Sequence, residues 1–221
     1  MKHPAKYTDS FLPIFFDLLK NTDCVLDPMA GTGKLALIKD YGYKGAIICN
    51  DLEPDWQKGE NYDVDEWHFT DASNMNWAKN EQFDAICTSP TYGNRMADNF
   101  VARDKSHRVT YRHYLGHCLK DGNTGKMQFG SKYCEKHRSI YAECFRVLKK
   151  GGIFIVNVSN HIRSGKIIDV VNFHKTTLLD LGLLFKEEIK IKTPRMGFGA
   201  NSKLRVDTES ILVFIKDGTE N

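Results

Sequence analysis

The stretch Cys24-Val-Leu-Asp-Pro-Met-Ala-Gly-Thr-Gly-Lys34, written CVLDPMAGTGK, decides the fold. A short apolar run from Cys24 to Leu26 ends in Asp27-Pro28, a turn of small residues follows, and Lys34-Leu-Ala-Leu-Ile38 reads as a helix start. Strand, glycine-rich turn and helix in that order let a backbone approach a nucleotide-like ligand, because glycine accepts positive φ and carries no Cβ. Two phosphate-directed versions of this pattern compete. A P-loop needs Gly at 28, where Pro stands, and Ser or Thr at 35, where Leu stands. A dinucleotide fingerprint needs a third Gly at 36, and Ala36 fits it in part. An ordinary strand-to-helix turn is the remaining alternative.

The next strand ends narrow the choice. Ala46-Ile-Ile-Cys49 runs into Asn50-Asp51, with Glu53 just beyond, and a weaker strand ends at Asp71. Acids at successive strand ends suit an adenosine. A carboxylate accepts both ribose hydroxyls or an exocyclic amine, and it repels a pyrophosphate. The fourth apolar run, Phe83 to Cys87, leads straight into Thr88-Ser-Pro-Thr-Tyr-Gly-Asn-Arg95. Pro90 ends the strand's ladder and leaves hydroxyls, an aromatic ring and an arginine at the C-terminal edge, where open parallel sheets hold ligands. The plainer alternative is a strand-ending turn whose Tyr92 packs on the core.

Working outward, Asp9 or Ser10 can cap a helix that runs through Lys20. Residues 131–149 read as a helix that Gly151-Gly152 breaks before the strand Ile153 to Val158. A helix near 166–181 and strands near 184–192 and 209–216 complete the chain. This alternation predicts an α/β fold, a mostly parallel seven-stranded sheet covered on both faces and ending in an antiparallel hairpin. A chain of 221 residues, 41% of them hydrophobic, fits one domain spanning 1–221.

The net charge of +3 is unevenly spread. Val101 to Arg138 carries nine Lys or Arg against three acids, so the remainder is net negative. Four histidines and Tyr111, Tyr114, Phe129 and Tyr133 interleave with those charges, which suits phosphate contact plus stacking, although a solvated basic loop looks similar. A basic insertion at about 95–135 is thus the candidate recognition region, with Arg95, Arg103, Lys105, Arg108 and Arg112 as candidate contacts. The loop Thr193 to Asn201 adds Arg195, and Asn160-His-Ile-Arg163 is a weaker third. His113, His117, Cys118, Cys134 and His137 match no zinc spacing, so no metal is expected. Six dispersed cysteines without CxxC read as free thiols in a reducing cytoplasm. No signal-peptide h-region opens the chain, and Phe11 to Phe16 is too short to cross a bilayer, so a cytoplasmic protein away from membranes is expected.

With those residues placed, the chain resembles the S-adenosylmethionine-dependent methyltransferases of the Rossmann-like class I fold, specifically the DNA amino-methyltransferases acting on adenine N6 or cytosine N4. His3-Pro-Ala-Lys-Tyr7-Thr8 is similar to that family's N-terminal cofactor motif, DPMAGTG to its cofactor loop and Ser89-Pro-Thr-Tyr92 to its catalytic turn. TSPTYGNRMAD, LGHCLKDGNTGKMQFG and TPRMGFGAN are similar to small stand-alone methylases of phages and prophages. The resemblance implies S-adenosylmethionine held by Tyr7, Thr8, Asp27, Gly31, Gly33, Asp51 and Asp71, and DNA as partner. It implies that Ser89 and the Pro90 carbonyl take the amine while Tyr92 stacks on a flipped base. Thr91 stands where the family has a second Pro, and Ser89 leans toward cytosine N4 chemistry. The same motif order occurs in RNA guanine-N2 methyltransferases, and a binding protein with a vestigial cofactor site is a third reading. A homodimer and a restriction-modification partner stay open.

Overall fold

The computed structural model describes residues 7–93, 111–193 and 206–218. Its strands are β1 (Cys24–Asp27), β2 (Ala46–Asn50), β3 (Glu66–His68), β4 (Phe83–Thr88), β5 (Leu148–Val158), β6 (His161–Arg163), β7 (Lys166–Ile168), β8 (Leu183–Lys192) and β9 (Thr208–Lys216). Helices α1 (Leu12–Leu19), α2 (Tyr111–Leu115), α3 (Ser131–Val147) and α4 (Val170–Asp180) accompany them, with a 3-10 run at Lys34–Tyr41. The main sheet has seven strands in the order β3-β2-β1-β4-β5-β9-β8. The first five are parallel, and β9 runs antiparallel to both β5 and β8.

Strand alternation sorts the side chains into two cores. Leu26, Ile86, Phe154 and Val156 face α3 residues Ile140, Tyr141 and Cys144, together with Leu178 of α4. Val25, Ile47, Ala85 and Ile155 face Phe11, Phe15 and Leu19 on the other side. Both faces of the central strands are therefore apolar, as a sheet covered by helices requires. Each fully buried Leu or Phe contributes about 1.5–3 kcal/mol, so these two layers supply most of the drive to fold.

Three boundaries depart from the sequence reading. Neither Asp9 nor Ser10 caps the first helix: Asp9–Phe11 form a 3-10 turn and α1 starts at Leu12 without a side-chain cap. The double glycine does not separate helix from strand: β5 already begins at Leu148, which pairs with Phe83, and the register shifts before Ala85 meets Ile153. Gly151 takes φ 74° in that irregular stretch, a conformation costly for a side-chain-bearing residue. The expected helix from 166 begins at Val170 instead, because Lys166–Ile168 pairs with His161–Arg163 in a small hairpin. Asp169 then caps α4 by accepting from the Asn172 amide at 3.3 Å.

Candidate active site

Strand order reverses between β1 and β4, and a cavity of about 360 Å³ opens at their C-terminal ends. A topological switch point of this kind is where doubly wound sheets bind ligands. Both halves of the sequence reading meet there: Tyr7, Asp27, Gly31, Asp51 and Asp71 line the cavity together with Ser89, Pro90 and Tyr92.

The half of the cavity at the ends of β1 and β2 is organised by backbone capture. Asn50, fully buried at the end of β2, donates to the Pro28 carbonyl (3.1 Å) and the Thr70 carbonyl (3.0 Å), and its Oδ1 accepts from Thr70. One amide thus ties three strand ends together. Asp51 next to it accepts from the Gly31 amide (2.8 Å) and the Glu53 amide (2.8 Å). Gly31 has φ 56° and Gly33 φ 77°. Gly33 turns away from the cavity, and a Cβ there would lie 2.8 Å from Trp67, so its role is to let the turn pack on β3. Lys34, which a P-loop would direct at phosphate, instead donates to the Tyr7 carbonyl at 2.6 Å and pairs with Asp9. Thr8 is exposed, bonds Ser10 and lies outside the cavity lining.

The electrostatics favour a hydroxyl-rich or cationic ligand. Burial pushes the Asp27 carboxyl up to about 7 and the Asp51 carboxyl up to about 6. Burial also opposes ionisation of Asp71, but Lys136 (2.5 Å) and Ser73 outweigh it and hold that carboxyl below its ordinary value. The Tyr7 hydroxyl is buried and has no hydrogen-bond partner among the described residues. An unpaired buried hydroxyl beside carboxylates costs free energy that a donor- and acceptor-bearing ligand recovers. Three carboxylates on one wall repel a pyrophosphate and suit ribose hydroxyls and an ammonium.

The reaction half sits at the end of β4. The Ser89 hydroxyl accepts from Asn157 Nδ2 at 3.3 Å, and the Tyr92 hydroxyl donates to Glu209 at 3.0 Å. Asn157 Nδ2 also lies 3.3 Å from Glu209. Neither Asn157 nor Glu209 is among the site residues that the sequence reading expects. The one available signal is a lone amide inside the apolar strand Ile153–Val158; Glu209 becomes a neighbour only because β9 pairs with β5.

The described part of the basic stretch also reaches the cavity. Leu119, Gly122, Asn123 and Thr124 form part of the cavity wall, and Lys136 points into it. Glu53 holds this segment: it is 1% exposed, accepts from the Lys120 amide (2.5 Å) and from Asn123 (3.3 Å), and does not itself line the cavity. Arg95, Arg103, Lys105, Arg108 and Arg195 lie outside the described residues, as does the side chain of Arg112. Among the described residues no cluster of His, Cys, Asp and Glu could hold a metal, and no helix is long and apolar enough to cross a membrane. The cysteines are free.

A family model described as DNA methylase, for N6 and N4 methyltransferases, matches residues 83–221, well over half of the chain. The chain belongs to the DNA methylase family. No curated protein matches it in sequence. Among solved structures it is similar to a SAM-dependent methyltransferase of Methanosarcina mazei, at 12% identity and TM-score 0.58, over 93% of this chain and 97% of that one. It is also similar to the N-methyltransferase NodS of Bradyrhizobium japonicum, at 15% identity and TM-score 0.52, over 94% and 93%. A third is the 1,6-didemethyltoxoflavin-N1-methyltransferase of Burkholderia thailandensis, at 12% identity and TM-score 0.55, over 95% and 77%. At such identities the likeness carries the fold, that of class I methyltransferases. This member of the DNA methylase family is a methyltransferase, and its cofactor is S-adenosylmethionine. The wall of carboxylates and the unpaired Tyr7 hydroxyl fit that cofactor's hydroxyls and ammonium.

Proposed function

We propose that the chain methylates an exocyclic amino group of a base in DNA, cytosine N4 or adenine N6, within a short site. The observation that carries this reading is that one cavity holds Ser89 and Pro90 just after β4, Asp27 at the end of β1, and Asp51 and Asp71 after β2 and β3. An acceptor pair for an amine and a cofactor wall therefore face the same volume.

The bound cofactor supplies a methyl group already activated on a cationic sulfur, so the protein has to aim a lone pair and exclude water. An aromatic exocyclic amine is a weak nucleophile because its lone pair is delocalised into the ring. The Ser89 hydroxyl oxygen and the Pro90 carbonyl, accepting one N–H each, draw the nitrogen toward tetrahedral geometry and return the lone pair to it. Asn157 orients Ser89 by donating to its oxygen. Tyr92, tethered through its hydroxyl to Glu209, offers its ring to the face of a flipped base. After transfer the methylated amine releases a proton to water. The interleaved charges and rings of the insertion suit a nucleic-acid backbone, and Ser89 favours cytosine over adenine.

Transfer of tritiated methyl from S-adenosylmethionine to DNA of defined sequence tests the reading, with the product located on an exocyclic nitrogen. Tyr92→Ala is expected to lose most of the rate while cofactor affinity stays, since base stacking is worth about 1–3 kcal/mol. Transfer to tRNA or rRNA with none to DNA would place the substrate in RNA.

A further inference from the structure

Beneath the catalytic turn lies a buried set of rings that the chemistry above does not use. Tyr133, His137 and Tyr141 of α3 and His174 of α4 are each 0% exposed. The Tyr133 hydroxyl is 2.5 Å from the Thr91 carbonyl and 2.9 Å from His174 Nε2, and the Tyr141 hydroxyl is 2.6 Å from His174 Nδ1. A phenol has one proton to give. If Tyr133 gives it to Thr91, His174 must donate from Nε2, and its bare Nδ1 must accept from Tyr141. One arrangement satisfies every donor and acceptor along this chain of bonds: Tyr141 O–H to His174 Nδ1, His174 Nε2–H to Tyr133, Tyr133 O–H to the Thr91 carbonyl; His137 stands beside it, its Nδ1 2.9 Å from the Tyr133 carbonyl and its Nε2 buried without a partner among the described residues. Burial holds the His174 imidazole neutral, in keeping with that arrangement.

The chain of bonds ends where the turn is least constrained. Pro90 has its φ fixed by its ring, and Thr91 does not. Thr91 is held instead from two sides, its carbonyl by Tyr133 and its hydroxyl by Thr124 at 2.9 Å, while the Gly93 carbonyl next along accepts from the Phe129 amide at 2.8 Å. With Thr91 pinned, rotation of the peptide plane that carries the Pro90 carbonyl is restricted on its C-terminal side. We infer that Tyr133 and His174 are positioning residues of the methyl-transfer site, fixing the Pro90 carbonyl through Thr91 by tertiary hydrogen bonds. This rests on the reading of Pro90 as an acceptor for the amine.

The full-length chain is compared with Tyr133→Phe, which keeps the ring packed against Phe129 and Phe173 and removes the one hydroxyl. Amide hydrogen exchange over residues 89–93 is expected to accelerate about tenfold or more, with exchange in β4 unchanged. Single-turnover methyl transfer should slow about tenfold while the dissociation constant of S-adenosylmethionine moves less than twofold. Thr91→Pro added to Tyr133→Phe, locking φ covalently, should recover most of the loss in both readouts. His174→Gln, whose amide still donates to Tyr133, should stay within about twofold of the parent, whereas His174→Leu should behave like Tyr133→Phe. That pair replaces Tyr133→Phe should the latter not fold. Unchanged exchange at the turn overturns the inference, as does faster exchange with an unchanged transfer rate or a lost rate that Thr91→Pro leaves unrecovered. The exchange measurement needs no substrate. A parent protein that methylates RNA removes the DNA reading and moves the rate comparison to RNA; a parent that methylates neither leaves exchange at the turn to decide.

Discussion

At the scale of single residues, Asp27 and Asp51, two of the three acids lining the cavity, are expected to set how stability and, on the proposed reading, cofactor affinity respond to pH. In the folded protein burial pushes the Asp27 carboxyl up to about 7 and the Asp51 carboxyl up to about 6, above the roughly 3.9 of an unfolded aspartate. The folded state therefore holds protons that the unfolded chain has already released, and apo stability falls as pH climbs from about 4 through about 7. Ligand binding has the opposite sign, because a cationic ligand prefers the ionised carboxylates. Affinity for S-adenosylmethionine is expected to rise between pH 5.5 and 8 in calorimetry, and Asp27→Asn to remove most of that slope. A flat profile in the parent would show that the acids are already ionised. Asp51→Ala should weaken the cofactor by about 1.5–3 kcal/mol, the range for a hydrogen bond to a charged group. Unchanged affinity in a folded Asp51→Ala variant would move the contact to Glu53, whose Oε2 is buried without a partner among the described residues.

Among the elements, the segment Leu115 to Lys126 changes its meaning most. Its charges read as a polyanion surface, yet four of its residues wall the cofactor cavity. Glu53 accepts from Lys120 and Asn123, and Asp55 pairs with His117 at 3.0 Å, so the acids after β2 clamp the basic segment down. Glu53→Ala is expected to loosen that clamp and raise the dissociation constant of S-adenosylmethionine, by the about 1–3 kcal/mol that removing a buried hydrogen bond costs. Tryptic cleavage after Lys120 and Lys126 should quicken in the same variant. Slower or unchanged cleavage would show that packing of Leu115 and Leu119 against Trp56 and Tyr111 is enough to hold the segment.

For the whole molecule, the prediction concerns charge. Nine basic residues against three acids between 101 and 138, on a chain of net charge +3, leave the remainder negative, so nucleic-acid affinity should concentrate on that segment. Arg108→Ala with Arg112→Ala is expected to weaken DNA binding and flatten its log–log salt dependence by about one for each phosphate that is no longer neutralised. Cofactor affinity should remain as it was. A salt slope that does not change would remove both arginines from the interface.

The amino-acid sequence on its own determined the order of the seven strands of the main sheet and of the longer helices between them, because short apolar runs and a glycine turn are local signals; it did not show α2 or the β6–β7 hairpin. It also marked Asp27, Asp51, Asp71, Ser89, Pro90 and Tyr92 as strand-end residues, and parallel pairing then had to bring those ends to one edge. It misplaced the start of β5 and of α4, where a register shift against β4 and a tight local hairpin, Arg163 pairing with Lys166, override the local reading of glycine and of helical period. Only the tertiary structure decided which groups surround the reacting end. Glu209 meets Tyr92 across 117 positions, Tyr133 meets Thr91 across 42, and Lys136 meets Asp71 across 65. No local pattern encodes such pairs, since each depends on how β9 and α3 pack against strands formed much earlier in the chain.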